Sequence, residues 1–481
     1  MRRFKSKKML KGIGLWIILT AFAITFFSQG VFAAELKGEI EVWSLNWNPA
    51  EVARGKNLTA LLEIADEYMK LNPGAKINIM VKPRMEEAEI NTWLVTQSAA
   101  ETIYHVVWAH SSEIEQYAAE NWFIDWTSYL NEPNPYIPGN TCWYDAFYKN
   151  PIELRKSPDG SLWSLPLGLV ATIFFYNKDI FASVGVGAPE TWAEYTEIQR
   201  KLKNAGYVPT LFPMKTVVST SWIYRVLLSH FYEPMLADLD VLGTPLYVDA
   251  EEFSRAVAKG IFSAKSDRYK EILRIIKEWS QFWNPNFLSV PWAQGRERLV
   301  RKEATMTWDH CREMTPLLAD PLRDFEFGTF YCPQITKETS KYSGEHPMRM
   351  VGGASGEQWA ITATAVREGK VDLCVDWAKF ATTPENHLKL VDEVGSSLPI
   401  VKGCEVADVM KAFLPQFEAG ISPFIVERFL TTKQYDEWFR HMQLFMADAL
   451  TLDEVAEMDQ AGFEKSAKEF IEKFKYDQSR W

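Results

Sequence analysis

Alternation of polar and apolar residues marks two short segments near the start of the chain. Residues 39–43 and 76–81 alternate with a period of two, which predicts β-strands. Between them, apolar residues recur at helical spacing over 58–71, and Asn72-Pro73-Gly74 ends that pattern. A strand, a helix and a second strand in this order predict a βαβ unit with parallel strands.

Further along the chain, the spacing of apolar residues indicates first an extension of the same lobe and then a helix-rich second lobe. A strand at 104–108 and a short helix at 113–120 extend the first α/β lobe, and the long apolar stretch at 165–176 predicts a crossing into another lobe. Helical spacing follows, which predicts a mostly helical second lobe. A second βαβ-like unit is predicted from strands at 325–330 and 359–362 and a helix at 370–381. The predicted helices of the second lobe cover 192–205, 222–231 and 269–282.

The first 33 residues have the pattern of a secretory signal peptide. A basic stretch without acids precedes an apolar run at 13–27, and the small residues Val31 and Ala33 stand before the expected cut. A retained membrane anchor is the alternative, but the apolar run is short for a transmembrane helix. We therefore predict export to the periplasm or the extracytoplasmic cell surface.

Charge and cysteine content narrow the function classes. Lys and Arg total 52 against 63 Asp and Glu, and the net charge of -11 opposes binding to nucleic acid or an anionic membrane. The 5 Cys show no CxxC motif and no zinc-site spacing, so we expect no metal, mostly buried thiols and at most one or two disulfides. The 19 Trp exceed what core filling usually requires, which favours an aromatic ligand surface.

Several segments also occur in an order that is typical of one family. The most specific are Tyr176-Asn177-Lys178-Asp179 and Pro189-Glu190-Thr191-Trp192. With them, the chain resembles the extracellular solute-binding proteins of ABC importers, in particular the sugar-binding group that includes maltose-binding protein. The other segments of the series are residues 107–110, 122–125, 302–308, 352–353, 377–380, 384–385 and 395–399.

This resemblance implies two α/β lobes joined by three chain crossings, with a ligand cleft that closes by hinge rotation. The family layout puts the crossings near Ala171, Pro333 and Pro399. Lobe one would then comprise 35–171 plus 334–396, and lobe two 172–333 plus 397–481. The implied partners are a carbohydrate, with an oligosaccharide favoured, and the membrane permease subunits of an importer. We expect a monomer without a cofactor.

Carbohydrates present apolar ring faces and a belt of hydroxyls, so their sites need aromatic platforms and fixed polar groups. The stacking tryptophan of the family corresponds to Trp108, which ends a predicted strand and precedes His110 and Ser111. Trp108 could instead only fill a seam between elements. The loop after the first strand adds Trp47 and Asn48 as candidates.

The remaining candidates come from the second half of the chain. The family's second-lobe loop corresponds here to Trp308, Asp309 and Arg312, and Asp309 could either accept sugar hydroxyls or cap a helix. Gly353 would let backbone approach a ligand closely or simply make a turn. Trp222 and Trp359 are further candidates, although both also fit core-facing patterns.

Two other function classes stay open at this point. A secreted glycosidase would need two carboxylates about 5–10 Å apart across the scissile bond, and nothing in the sequence singles out such a pair. A binder of a polyamine, a phosphodiester or an organic acid is the second alternative, and Arg312 is its best support because guanidinium suits carboxylate and phosphate. We expect a binding protein and not an enzyme.

The leader makes a direct prediction. Because small residues precede Ala34, the exported protein should begin at Ala34 or Glu35, and intact-mass measurement of the secreted chain checks this. A chain that keeps Met1 and sediments with membranes would contradict it.

Overall fold

The computed structural model describes residues 36–53, 56–83, 85, 87–109, 114–157, 159–242, 247–344, 346–349, 351–353, 356–395, 397–406, 408–413 and 420–481. The predicted signal peptide lies outside these residues. No helix within these ranges has both the length and the apolar composition that a membrane span requires.

The strands are short except for one. They are β1 (Gly38–Trp43), β2 (Val52–Ala53), β3 (Lys56–Asn57), β4 (Ala75–Ile79), β5 (Val106–Val107), β6 (Leu165–Pro166), β7 (Val170–Asn177), β8 (Thr210–Leu211), β9 (Met306–His310), β10 (Phe327–Phe330), β11 (Gly352–Gly353) and β12 (Gln358–Ile361).

The α-helices cover much of the rest. They are α1 (Ala60–Leu71), α2 (Glu87–Ala99), α3 (Ile114–Ala119), α4 (Thr127–Leu130), α5 (Lys149–Glu153), α6 (Lys178–Ser183), α7 (Trp192–Asn204), α8 (Val218–Tyr232), α9 (Leu236–Leu239), α10 (Ala250–Ala258), α11 (Asp267–Ser280), α12 (Gly295–Val300), α13 (Met314–Ala319), α14 (Ala363–Arg367), α15 (Val371–Ala381), α16 (Pro384–Val394), α17 (Val426–Phe429), α18 (Thr432–Met446) and α19 (Leu452–Phe474).

The first sheet has the strand order β4-β1-β5-β12-β6. Strand β1 pairs in parallel with both β4 and β5, so that Val42 lies opposite Ile79 and Val106. Helix α1 connects β1 to β4 and buries Leu61 and Tyr68 against the sheet. The predicted βαβ unit and the two-lobed α/β class are confirmed.

The second sheet has the order β10-β7-β9-β8, and β11 pairs with the start of β7. All of β7 is buried, and its side chains alternate between two cores. Ile173 and Phe175 pack in the core that continues into the first lobe, whereas Phe174 and Tyr176 pack in the helix-rich second core. The apolar run of the sequence therefore reflects a strand that is covered on both faces.

The predicted second βαβ-like unit is wrong. Strand β10 pairs with β7 in the second sheet, while β12 pairs antiparallel with β5 and β6 in the first. The two segments belong to different lobes because the chain crosses between them. Local apolar patterns carry no information on which sheet a strand joins.

The chain passes from the first sheet to the second between β6 and β7. Met348 and Val351 pack in the second core, and β11 pairs with β7. Ile400 and Phe413 pack in the first core, and Phe424 packs in the second. The crossings near Ala171, Pro333 and Pro399, and the lobe ranges built on them, stay predictions.

Three connecting segments lie side by side between the lobes. The Leu167 N–H donates to the Glu357 carbonyl at 2.7 Å, and Leu169 and Leu398 exchange two backbone hydrogen bonds of 3.0 Å. Gly352 has a φ of +132°, and a Cβ there would lie 1.8 Å from the Val170 carbonyl oxygen, so only glycine fits. This narrow backbone junction is where rotation of one lobe against the other would be absorbed.

The five cysteines are distributed through both lobes without a disulfide. Cys311, Cys332 and Cys374 are buried, and Cys142 and Cys404 are partly buried. They act as small apolar side chains of the cores.

Truncation of one tryptophan in the first core should strongly lower the stability of the folded chain. Trp359 is fully buried, with its ring centroid 6.1 Å from that of Trp377 and 5.8 Å from that of Trp47. Trp359→Ala should lower the free energy of unfolding by about 3–5 kcal/mol, because lost transfer energy adds to a cavity. Urea unfolding measures this, with the half-buried Trp122→Ala as control. Equal losses in the two variants would contradict the placement of Trp359.

Candidate functional site

A cavity of about 630 Å³ lies between the two lobes. Leu45, Asn46 and Trp108 line it from the first lobe, and residues of β7, α8, β9 and α12 line it from the second. This volume lies within the range of pockets that hold small molecules. The cleft is therefore the candidate ligand site.

Helix α8 supplies part of the second-lobe wall. Its residues are buried almost throughout, which makes it a rigid support, and Trp222 and Arg225 both line the cleft. Three positions apart on a helix, the two side chains lie on one face. Trp222 is only partly buried, so an indole face is available to a ligand.

Two further rings stand beside Trp222. Trp292 begins a short 3-10 turn ahead of α12, and His310 ends β9. Their ring centroids are 4.9 Å apart at 78°, and the Trp222 and Trp292 centroids are 5.9 Å apart at 81°. These edge-to-face contacts fix the orientation of the rings, and we call Trp222, Trp292 and His310 the aromatic corner.

Asp309 holds the aromatic corner in place. Its Oδ1 accepts a hydrogen bond of 3.0 Å from the Trp292 indole nitrogen and one of 2.8 Å from the His310 N–H. Burial, together with the nearby Glu313 carboxylate, raises the pKa of Asp309 well above its ordinary value. Asp309 therefore orients a cleft tryptophan, and it is not the N-cap of the following turn, which is His310.

Cations and acids alternate along the same wall. Arg296 Nη1 donates to Glu313 at 2.9 Å, which neutralises both side chains locally. Arg312 Nη2 donates to the Gly356 carbonyl at 3.0 Å and so ties the second lobe to the connecting segment.

A buried carboxylate lies behind the cleft at the junction of the lobes. Glu357 accepts hydrogen bonds from the Ser44 hydroxyl at 2.7 Å and from the Asn46 N–H at 2.8 Å. Burial outweighs these donors and raises the pKa of Glu357 to about 7. Asn46 also donates to the Gly356 carbonyl, so Asn46 and Arg312 meet at one acceptor.

Five of the predicted site residues lie in or beside the cleft wall. Trp108, Trp222, Asp309 and Arg312 line it, and Gly353 pairs with Val170 beside the cleft residue Gly352. Trp108 is only 3% exposed, so it forms a firm part of the first-lobe wall. Two more predicted residues, His110 and Ser111, lie outside the described residues.

The remaining four candidates pack inside the lobes. Trp308 stacks on Phe174 with centroids 5.3 Å apart, because β9 alternates and places Trp308 opposite to Asp309. Trp359 and Trp47 pack together in the first core. Asn48 is 2% exposed and donates to the Lys82 carbonyl at 2.5 Å, which fixes the loop after β1.

Sequence reasoning missed several residues of the wall, among them Asn46, Arg225, Trp292, Arg296 and His310. Trp292 follows Pro291 in a segment without helical or strand periodicity, which is a signal that could have been used. The other four carry no local signal, because only tertiary packing brings the loop after β1 together with α8, α12 and β9.

Comparison with known proteins agrees with this geometry. The family model described as bacterial extracellular solute-binding protein matches residues 55–387. This range includes the cleft residues from Trp108 to Gly353.

Curated relatives match over short stretches. The sn-glycerol-3-phosphate-binding periplasmic protein UgpB of Brucella abortus (strain 2308) is 28% identical over 137 residues, which is 25% of this chain. The UgpB of Agrobacterium fabrum is 35% identical over 71 residues, or 14% of this chain. The chain spans only 28% and 16% of the length of these two relatives.

Solved structures match over nearly the whole chain. A chitin oligosaccharide binding protein has a TM-score of 0.63 at 18% identity, covering 90% of this chain and 99% of its own. A cyclic alpha-maltosyl-1,6-maltose binding protein from Arthrobacter globiformis has a TM-score of 0.64 at 14% identity, covering 90% and 100%. RafE in complex with raffinose has a TM-score of 0.58 at 17% identity, with the same coverage. These likenesses show the shared two-lobed fold.

The buried Glu357 predicts a dependence of stability on pH. Its pKa is about 7 in the folded chain and 4.5 as the reference for the unfolded chain, so between these values the folded form binds the extra proton. Its contribution to stability is therefore present at low pH and is lost as the pH rises through 7. The free energy of unfolding of the wild type, relative to that of Glu357→Gln, should fall by up to about 3 kcal/mol from pH 5 to pH 8. Urea unfolding at the two pH values measures this.

The exposed Glu472→Gln serves as the control for this measurement and should follow the wild-type profile. Parallel profiles for wild type and Glu357→Gln would show that Glu357 is ionised at both pH values and would refute the assignment.

Proposed function

Because this chain belongs to the bacterial extracellular solute-binding protein family, we propose that it captures a carbohydrate outside the cytoplasmic membrane and delivers it to the permease of an ABC importer. One observation carries the choice of ligand. Trp108 lines the cleft from the first lobe and the aromatic corner lines it from the second, together with polar side chains of both lobes. This is the combination that sugar rings and their hydroxyls require.

The two walls also support a closure mechanism. A ligand that touches Trp108 and Trp222 together contacts both lobes, so it binds the closed form better than the open form and shifts the population toward it. Rotation would be taken up at the backbone junction around Leu169 and Glu357. A permease can then distinguish the loaded protein from the empty one by the relative position of the lobes.

The same cleft favours binding without chemical change. Asp309 is engaged by the Trp292 indole, and Glu313 is paired with Arg296. Of the described carboxylates that line the cleft, these two are therefore already engaged, and the third, Glu51, belongs to the first lobe. A glycosidase needs two acids that act together on the scissile bond. We therefore propose that the ligand leaves the cleft unaltered. Incubation with oligosaccharides and chromatography for shorter products tests this.

A non-sugar solute is the second candidate. Its support is the arginine content of the cleft wall, together with relatives whose names state glycerol 3-phosphate as their ligand. Glycerol 3-phosphate therefore belongs in every ligand panel.

Binding should appear as thermal stabilisation. A ligand that binds only the folded chain stabilises it by about 2.7 kcal/mol at one hundred times its Kd. We expect an oligosaccharide to raise the melting temperature of the mature protein in a panel of mono- and oligosaccharides and glycerol 3-phosphate. A melting temperature that moves only with glycerol 3-phosphate would replace the sugar by the second candidate.

The aromatic corner should account for much of the affinity. Trp222→Ala removes an aromatic platform from the cleft wall, and we expect a loss of binding free energy of about 2–4 kcal/mol, or roughly 30- to 1000-fold in Kd. Calorimetric titration with the stabilising sugar measures it. Trp122→Ala, at a partly buried tryptophan that stacks on Tyr117 outside the cleft, is the matched control. Equal affinity in the two variants would exclude Trp222 from the site.

A further inference from the structure

Arg225 differs from Arg296, which lies on the same cleft wall, in what it contacts. Arg296 has Glu313 as its ion-pair partner, whereas Arg225 Nε donates to the Phe424 carbonyl at 3.2 Å. No carboxylate lies within ion-pair distance of Arg225 among the residues that the structure describes. The side chain is nevertheless only 8% exposed and lines the cleft.

A buried cation of this kind needs a counter-charge. Removing a charged group from water costs several kcal/mol unless an opposite charge compensates for it, and a single carbonyl dipole compensates only in part. The hydroxyl of a neutral sugar is likewise only a dipole. The charge of Arg225 is therefore best satisfied by an anionic group on the ligand.

The surroundings of Arg225 strengthen the positive potential. Arg155 comes from the segment after α5, and Arg428 from α17. Burial, and then the positive charges of Arg428 and Arg225, lower the pKa of Arg155 to about 9. Positive charges from three parts of the chain therefore act on one another around Arg155, although the chain as a whole carries a net charge of -11.

Trp222 stands one helical turn before Arg225 on the same face of α8. A ring that stacks on Trp222 would carry its substituents toward the Arg225 guanidinium. Planar guanidinium binds carboxylate and phosphate oxygens through two parallel hydrogen bonds. The spacing therefore suits an anionic group attached to a sugar ring.

We propose that Arg225 forms an anionic subsite of the cleft, so that the ligand is a carbohydrate carrying one carboxylate or phosphate group. This inference rests on the proposed carbohydrate function and adds the charge of the ligand to it. Arg225 and Trp222 together select a charged ring over a neutral ring of the same size.

Matched pairs of ligands test the proposal on the mature wild-type protein. The probes are galacturonate against galactose for the carboxylate, and glucose 6-phosphate against glucose for the phosphate, with glycerol 3-phosphate as the anion without a ring. In calorimetric titration at low ionic strength we expect one charged sugar to bind at least about 10-fold more tightly than its neutral counterpart. Added salt should narrow this gap.

Variants assign the effect to Arg225. Arg225→Gln should abolish the preference for the charged sugar over the neutral one, and Arg225→Lys should retain part of this preference. Arg200→Gln, at an exposed arginine paired with Glu197, is the matched control and should bind as wild type does. A preference that persists in Arg225→Gln would overturn the assignment, and the wild-type ligand pairs decide the ligand's charge even if that variant does not fold.

The outcomes separate the two proposals. Equal or tighter binding of the neutral sugars would overturn the anionic subsite and leave the carbohydrate function standing. Binding of glycerol 3-phosphate with no response to any sugar would overturn the carbohydrate function itself. No binding by any member of either pair would overturn both.

Discussion

The arrangement of the molecule depends on the burial of β7 on both of its faces. Its eight residues are all buried, and alternate side chains enter two different cores. A strand of this kind cannot slip in register, because a shift by one residue would exchange Ile173 and Phe174 between cores of different shape. Strand β9 is fixed in turn by its pairing with β7, in which Phe174 lies opposite Trp308.

The pairing of β9 with β7 determines which side chains of β9 reach the cleft wall. Where β9 ends, Asp309 and His310 emerge at the wall while Trp308 points into the second core. Asp309 then orients Trp292, and Trp292 packs against Trp222 on α8. The aromatic rings of the cleft wall are thus held in position by successive contacts that begin in a buried strand.

Two arginines of the cleft wall differ in whether a carboxylate is close enough to neutralise them. Arg296 and Glu313 neutralise each other, whereas Arg225 Nε donates to the Phe424 carbonyl and has no carboxylate within ion-pair distance among the described residues. Glu357 lies behind the wall with a pKa of about 7 because burial outweighs its three hydrogen-bond donors. Charged residues of one type therefore have different roles in the site according to their neighbours and their distance from water.

Local periodicity was sufficient for the elements but not for their assembly. The alternation at 39–43 and the helical spacing at 58–71 correspond to β1 and α1, and the order of motifs indicated the two-lobed class. The strands at 327–330 and 358–361 joined different sheets and not one βαβ-like unit, because each looks like any apolar strand until its pairing partner is known. The periodicity of apolar residues predicts which face of an element is buried, but it does not predict the core in which that face packs.

By itself, the amino-acid sequence determined the α/β class, the family resemblance, the net charge and the richness in tryptophan. It also pointed to Trp108, Trp222, Asp309 and Arg312, which line the cleft. Only the tertiary structure separated these from Trp47, Trp308 and Trp359, which fill the cores, and it alone brought Arg225, Trp292 and His310 to the same wall. The physical reason is that a tryptophan has the same local pattern in a core and in a cleft. Its role depends on whether another element covers its exposed face, and that is decided by contacts between residues far apart in the chain.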